Sequence, residues 1–306
     1  MSGQEVLQLS VDGVINGSYY ALFGVSFGLI LGVTGRFHYA YALVFTTAAY
    51  VASVLQSAGV PVIPAVACGL AAATAEGVLI ERFVYRRLAA SSGVLSLLTI
   101  FIAALGLTIA GVNVITLIWG ASSRALTLFT PHTLHLGSAT YTTLDLVSVI
   151  IMWGLILALG LILARTGLGR SIKAVRGNPD LARTLGLRPE RVFLVVFAIG
   201  SAMCGVAAIF DGARYAVLPD MGTRPVVFAF VVAFLGGTRS RPLVVGVAGL
   251  FIGLVESLSG IWVSSQWSSL VVFAVLFIYL VLRPVDLRRM RTLLVASPVT
   301  PGRTPR

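Results

Sequence analysis

The main carboxylates in or beside the long apolar runs of this 306-residue chain are Glu76, Glu81, Asp211 and Glu256. In mid-membrane such a charge costs about 2.5–3.5 kcal/mol on an insertion scale, so it is usually paired or functional. Glu81 and Arg82 adjoin at one end of the third apolar run, where we expect an interfacial ion pair. Glu76 lies about one and a half turns deeper. At about 100° per residue, Glu256 falls near the face of Gly246, Gly249, Gly253 and Gly260. It points into helix packing, and two roles stay open for it: a hydrogen bond across the bundle, or a place in a transport pathway.

Other chemistry lacks its residues. A phosphate-gripping loop needs a Gly-Lys-Ser/Thr step, and the single lysine, Lys173, follows Ile172. ATP with its Mg²⁺, if used, is therefore hydrolysed on another subunit. Of the three histidines, His132 and His135 sit three apart in a polar loop with no Cys, Asp or Glu to complete a metal site. We expect no catalytic residue, metal or cofactor on this chain. Cys68 and Cys204 each fall within an apolar run, which argues against a disulfide framework.

The polar stretch from Thr166 to Val192 organises the rest. It holds Lys173, Arg170, Arg176, Arg183, Arg188 and Arg191. Within it Asn178 suits a helix N-cap, Pro179 the first helical position and Gly186 the left-handed stop. Asp180, Leu181, Ala182 and Leu185 lie between, with both leucines on one face. About two turns are too few to be stable alone in water. The helix needs a surface, either its own chain's or that of a partner supplying energy.

Composition places these elements. Hydrophobic residues make up 58% and charged residues 11%, with mean hydropathy +0.97 and net charge +11. Soluble domains carry roughly 25% charged residues, so this is an integral membrane protein. The arginines are divided among loops, which excludes a nucleic-acid face. Met1 to Glu5 lacks a basic n-region, and we read the first apolar run as retained. Apolar runs that we read as spans of about 30 Å of hydrocarbon, each near the roughly 20 residues this takes, fall at 9–32, 38–55, 62–84, 94–119, 144–164, 192–210 and 242–263, with a further span at 268–282 and a short run at 225–237. Gly13, Gly17, Gly24, Gly28 and Gly32 form a stripe on the first, which lets other helices come close. The fold expected is an all-α polytopic membrane protein of about eight to nine transmembrane helices, one short or broken.

Basic residues favour the cytoplasmic side. With 166–192 inside, alternation leaves only Arg124, Arg214 and Arg224 of the 22 basic residues outside, provided that 225–237 crosses. Irregular backbone over Leu218–Arg224 would supply its missing depth, and in a membrane such backbone is tolerated where it is buried or lines a cavity. We expect a permease domain over 1–285 and a basic, disordered cytoplasmic tail over 286–306. Candidate pathway residues are His38, Tyr39, Tyr41, Gly236, Gly237 and Glu256.

Asp180-Leu181-Ala182, three residues and Gly186 resemble the Glu-Ala-Ala…Gly loop of ABC importer permeases. More closely, GLGRSIKAVRGNPDLARTLGL resembles the branched-chain amino acid permeases of the LivH type. So do 16–35, IERFVYRRL at 80–88, the Leu-Gly-Gly…Glu region at 233–258, and Leu282-Arg283-Pro284. The resemblance covers nearly the whole chain. It implies a permease subunit of an ATP-driven importer in a bacterial inner membrane, for branched-chain or other hydrophobic amino acids or similar small solutes. It further implies a second homologous permease, two cytoplasmic ATPases that dock on Asp180, Ala182 and Gly186, and an extracytoplasmic solute-binding protein. His38-Tyr39-Ala40-Tyr41-Ala42 departs from the family's Asn-Phe/Leu-Ala-His-Gly, so an aromatic or amide-type solute is also open. The rival reading is an ion- or proton-coupled carrier that works without ATPases, with Glu76 and Glu256 as coupling sites.

Overall fold

A computed structural model describes residues 3–89, 94–264 and 267–282. The expected tail and the closing Arg283-Pro284 lie outside the described residues. Among the described residues the chain is all-α apart from one small hairpin. Eleven helices run in order: α1 (Gly3–Thr34), α2 (Tyr41–Ser57), α3 (Val62–Leu88), α4 (Val94–Trp119), α5 (Thr143–Arg165), α6 (Gly167–Gly177), α7 (Pro179–Thr184), α8 (Pro189–Tyr215), α9 (Thr223–Gly236), α10 (Pro242–Ser259) and α11 (Ser268–Leu282). Strands β1 (Thr133–Leu136) and β2 (Ala139–Thr142) pair antiparallel in what the sequence suggested was plain loop. Among the described residues six helices are long and apolar enough to cross a membrane, namely α1, α3, α4, α5, α8 and α10; α2, α9 and α11 are shorter apolar helices.

The glycine stripe makes α1 the axis of the bundle. Gly13 and Gly17 lie on Leu254 and Leu250 of α10, Gly24 and Gly28 on Val232 and Ala233 of α9, and Gly32 on Thr238. A side chain at most of these positions would meet a neighbour's backbone or branched side chain, so the helices approach more closely than larger residues permit. From the contact sequence, α9 runs parallel to α1 and α10 returns antiparallel. The amino end of α1 touches the hairpin through Gln8 and Thr140; we call this the hairpin end. The other, where α6 and α7 sit, is the polar-loop end.

Two helices start part-way along the bundle. Gly35, at φ +68°, ends α1. The chain turns back through 36–40, so that Tyr41 at the start of α2 bonds Ser26 at 2.8 Å, about 12 Å back along α1 from Thr34. The second run was expected to become helical at His38; His38–Ala40 instead form the turn that makes this return. At the opposite end α8 closes at Tyr215, and 216–222 return as irregular backbone. Ala216 has φ 129°, a strained value for a residue with a Cβ. There α9 begins, and its Phe228 stacks on the Tyr20 ring with centroids 4.2 Å apart. It then runs about 21 Å to the polar-loop end. The two re-entries, inverted relative to each other, meet where the Gly222 N–H donates to Thr46 Oγ1 at 3.2 Å.

The third helix continues to Leu88 through a π turn over Ile80–Tyr85. The ion pair expected between Glu81 and Arg82 does not form, because successive helical side chains point apart. Glu81 instead pairs with Arg36, and the Arg36 guanidinium lies over the Phe193 ring at 5.2 Å. Arg82 lies over Phe83. The π turn aims Glu81 at Arg36 and Tyr85 at His38, pinning the 36–38 return to α3.

Candidate functional site

Two places bring chemistry-bearing residues together. At the hairpin end, a cavity of about 290 Å³ opens between α1, α8 and α9, at the small end of ligand pockets. Tyr19, Tyr20 and Phe23 wall it from α1, and Phe228 from α9. Asp211, Arg214 and Arg224 supply charge. Arg214 Nε pairs with Asp145 at 3.0 Å and Nη1 donates to Asn16 at 2.7 Å. Asp145 also serves as the α5 capping-box carboxylate, accepting from the Thr142 N–H at 3.0 Å. Arg224 pairs with Glu256 at 2.8 Å, and Tyr20 donates its hydroxyl to the same carboxylate at 2.5 Å. Asp211 has no hydrogen bond or ion pair among the described residues. Around the cavity, two guanidinium groups thus face three carboxylates.

At the polar-loop end α7 forms as its residues dictate. Asn178 Oδ1 accepts from the Asp180 and Leu181 N–H groups, both at 3.0 Å, and Pro179 opens the helix. Gly186, at φ +81°, closes it. The Gly186 N–H donates to Arg183 O and the Leu187 N–H to Ala182 O, both at 3.0 Å, a Schellman stop. Arg183 bridges Asp180 at 2.9 Å and Glu190 at 2.7 Å; these carboxylates, Glu190 first, hold its guanidinium further into the charged form. Ala182 is buried beneath the helix, whereas Leu181 and Leu185 are 58% and 73% exposed.

The cradle for α7 includes α6, a second helix not expected from the sequence. Thr166 caps it, accepting from the Gly169 N–H at 3.1 Å. Leu168, Ile172 and Val175 face the bundle while Lys173 faces out. The spacing i, i+4, i+7 was its available signal.

The candidate pathway residues are not gathered in one place. His38 and Tyr41 are buried in an aromatic cluster, with His38 Nδ1 2.8 Å from the Tyr85 hydroxyl and its ring against Phe197. Tyr39 packs on Phe101. Gly236 lies against Val245, and Gly237 takes φ +82° at the polar-loop end. Glu256 alone reaches the hairpin-end cavity, through Tyr20 and Arg224. Sequence reading missed Arg214 and Asn16 there, which lie 198 positions apart and carry no local motif.

A family model described as "Branched-chain amino acid transport system / permease component" matches residues 9–280. The chain belongs to this permease family. It is 31% identical over 294 residues to the high-affinity branched-chain amino acid transport system permease protein LivH of Escherichia coli K12, covering 91% of this chain and 94% of that protein. It is 26% identical to BraD of Pseudomonas aeruginosa with the same coverage. A shorter match, 31% identical over 144 residues, covers 45% of this chain and 35% of the xylose permease XylH of E. coli K12. The permease is thus a multi-pass, non-catalytic membrane subunit of an ABC transport system, without a cofactor of its own, and its ATPase is a separate chain.

Proposed function

We propose that this permease carries branched-chain and other hydrophobic amino acids across a bacterial cytoplasmic membrane, driven by two ATPases bound at its polar-loop end. The observation that carries the solute class is the hairpin-end cavity. Aromatic walls suit an apolar side chain. Asp211 suits an ammonium group. Arg224, 64% exposed beside its bond to Glu256, suits a carboxylate. A zwitterion with an apolar side chain has this complement. Its size agrees with one small solute, and the names of LivH and BraD point the same way.

The polar-loop end then faces the cytosol. Arg36, Arg176 and Arg239 gather there, while Arg124, Arg214 and Arg224 belong to the hairpin end, as the positive-inside asymmetry requires. With that orientation α9 and the 216–222 return together complete one crossing, giving nine in all, with the tail inside. The two exposed leucines of α7 are the ATPase contact. A second homologous permease completes the membrane unit, and a solute-binding protein delivers at the hairpin end.

The test is leucine uptake by the full complex in proteoliposomes, with ATP confined to the compartment that the polar loop faces. Uptake should require that ATP and the ATPases. Gradient-driven uptake by this chain alone, indifferent to ATP, would overturn the reading.

A further inference from the structure

The polar-loop end carries a second cavity, separate in its lining from the hairpin-end site. It is about 520 Å³ and runs between α1, α5 and α10. Its walls are apolar, with Leu157 and Leu161 from α5, Leu29 from α1 and Leu243 from α10. From Ala164 to Leu157 the lining runs about 10 Å along α5, so the groove descends well into the apolar slab. At Gly160 a Cβ would meet nothing within 4 Å; the groove is open there. Its mouth is ringed by Lys173, Arg176, Arg239 and Arg241. None of the four makes an ion pair among the described residues, and no acidic residue lines the groove.

We propose that this groove is a binding site for a phospholipid with an anionic headgroup. The phosphate lies among the four cations and one acyl chain fills the groove along α5. Two features select this occupant. Four uncompensated cations at a membrane surface attract an anion, and basic pockets between transmembrane helices hold anionic headgroups. The apolar depth below them matches a hydrocarbon chain; an acidic surface of a soluble ATPase would satisfy the mouth and leave the groove empty. The site is independent of the solute and of the hairpin-end cavity.

The experiment is native mass spectrometry of the full transporter complex released from nanodiscs of phosphatidylglycerol and phosphatidylcholine in equal parts. The wild type should retain phosphatidylglycerol at least tenfold over phosphatidylcholine. Two variants act separately: Arg239→Gln with Arg241→Gln removes half the cations from an exposed turn, and Gly160→Trp fills the groove and leaves all four. Each should cut retention about tenfold or more. Unchanged retention in either variant would overturn the proposal. So would equal competition by inorganic phosphate, which would show that the acyl groove contributes nothing. An absence of retained lipid, with Gly160→Cys cross-linking to an ATPase, would also overturn it by assigning the groove to that subunit.

Discussion

Gly222 lies directly on the main-chain carbonyl of Ala42, and its N–H donates to Thr46 on the same helix. This contact joins the re-entrant starts of α2 and α9, so each broken segment closes against the other. A Cβ at Gly222 would collide with the Ala42 carbonyl carbon and oxygen, neither of which can swing aside as a flexible side chain would. We expect Gly222→Ala to destabilise the permease by about 1–3 kcal/mol, the range for overpacking. Gly106→Ala, where a Cβ meets nothing within 4 Å, should leave the melting temperature unchanged. Thermal unfolding of the two variants in one detergent checks this. Equal melting temperatures would remove the joint from the account.

The two ion pairs that hold the re-entries differ in symmetry. The side chains of Arg36 and Glu81 are both buried, so removing either strands a charge, and Arg36→Ala and Glu81→Ala should each cost about 3–5 kcal/mol. Glu256 is buried at 7% exposure but Arg224 can reach solvent. Arg224→Ala therefore strands a buried carboxylate, whereas Glu256→Ala leaves a guanidinium that can hydrate. We expect Arg224→Ala to be the more damaging by at least 1 kcal/mol, and the double variant to recover part of the loss. Denaturation of the three variants at the Glu256 pair decides it; equal single-variant losses would contradict the exposure argument.

The helix ends around α7 were legible in the sequence because caps are local: Asn178, Pro179 and Gly186 each act on backbone within a few residues. The short 225–237 run was legible for a similar reason, since length against bilayer thickness needs no partner. So was Glu256 facing a glycine-rich packing surface, where Gly249 and Gly253 meet Ala21 and Gly17. The partners of Glu256, Arg214 and Glu81 were not legible. Tyr20 lies 236 positions from Glu256, and only the path of the chain brings them together. The starts of α2 and α9 part-way along the bundle were likewise hidden. Apolar runs report residence in the membrane, and depth is set by tertiary contacts such as Tyr41 with Ser26.

Leu181 and Leu185 offer apolar surface at the polar-loop end while burying little within this chain. Replacing both by Ser should leave the melting temperature of the isolated permease within about 1 °C, the expectation for surface changes within about 0.5 kcal/mol. In the full complex, solute-stimulated ATPase activity should fall at least tenfold. Gly186→Val acts differently, since a β-branched residue is strained at φ +81°; it should loosen the stop of α7 and weaken coupling with both leucines intact. Wild-type coupling in the double Ser variant would place the ATPase contact elsewhere.

Asp211 is the carboxylate in excess around the hairpin-end cavity, and its proposed partner is the solute ammonium group. Asp211→Asn preserves size and removes the charge. A hydrogen bond to a charged group contributes about 1.5–3 kcal/mol, so leucine binding to the solubilised complex, without the delivery protein, should weaken about tenfold or more. The selectivity between leucine and 4-methylpentanoate, which lacks the amino group, should shrink by a similar factor. That second measurement separates the role from a structural one, because a general loosening of the cavity would weaken both ligands together. Basal ATPase activity should stay at the wild-type level, since Asp211 makes no bond that holds the bundle. Undiminished discrimination against 4-methylpentanoate in the Asn variant would take the ammonium site away from Asp211.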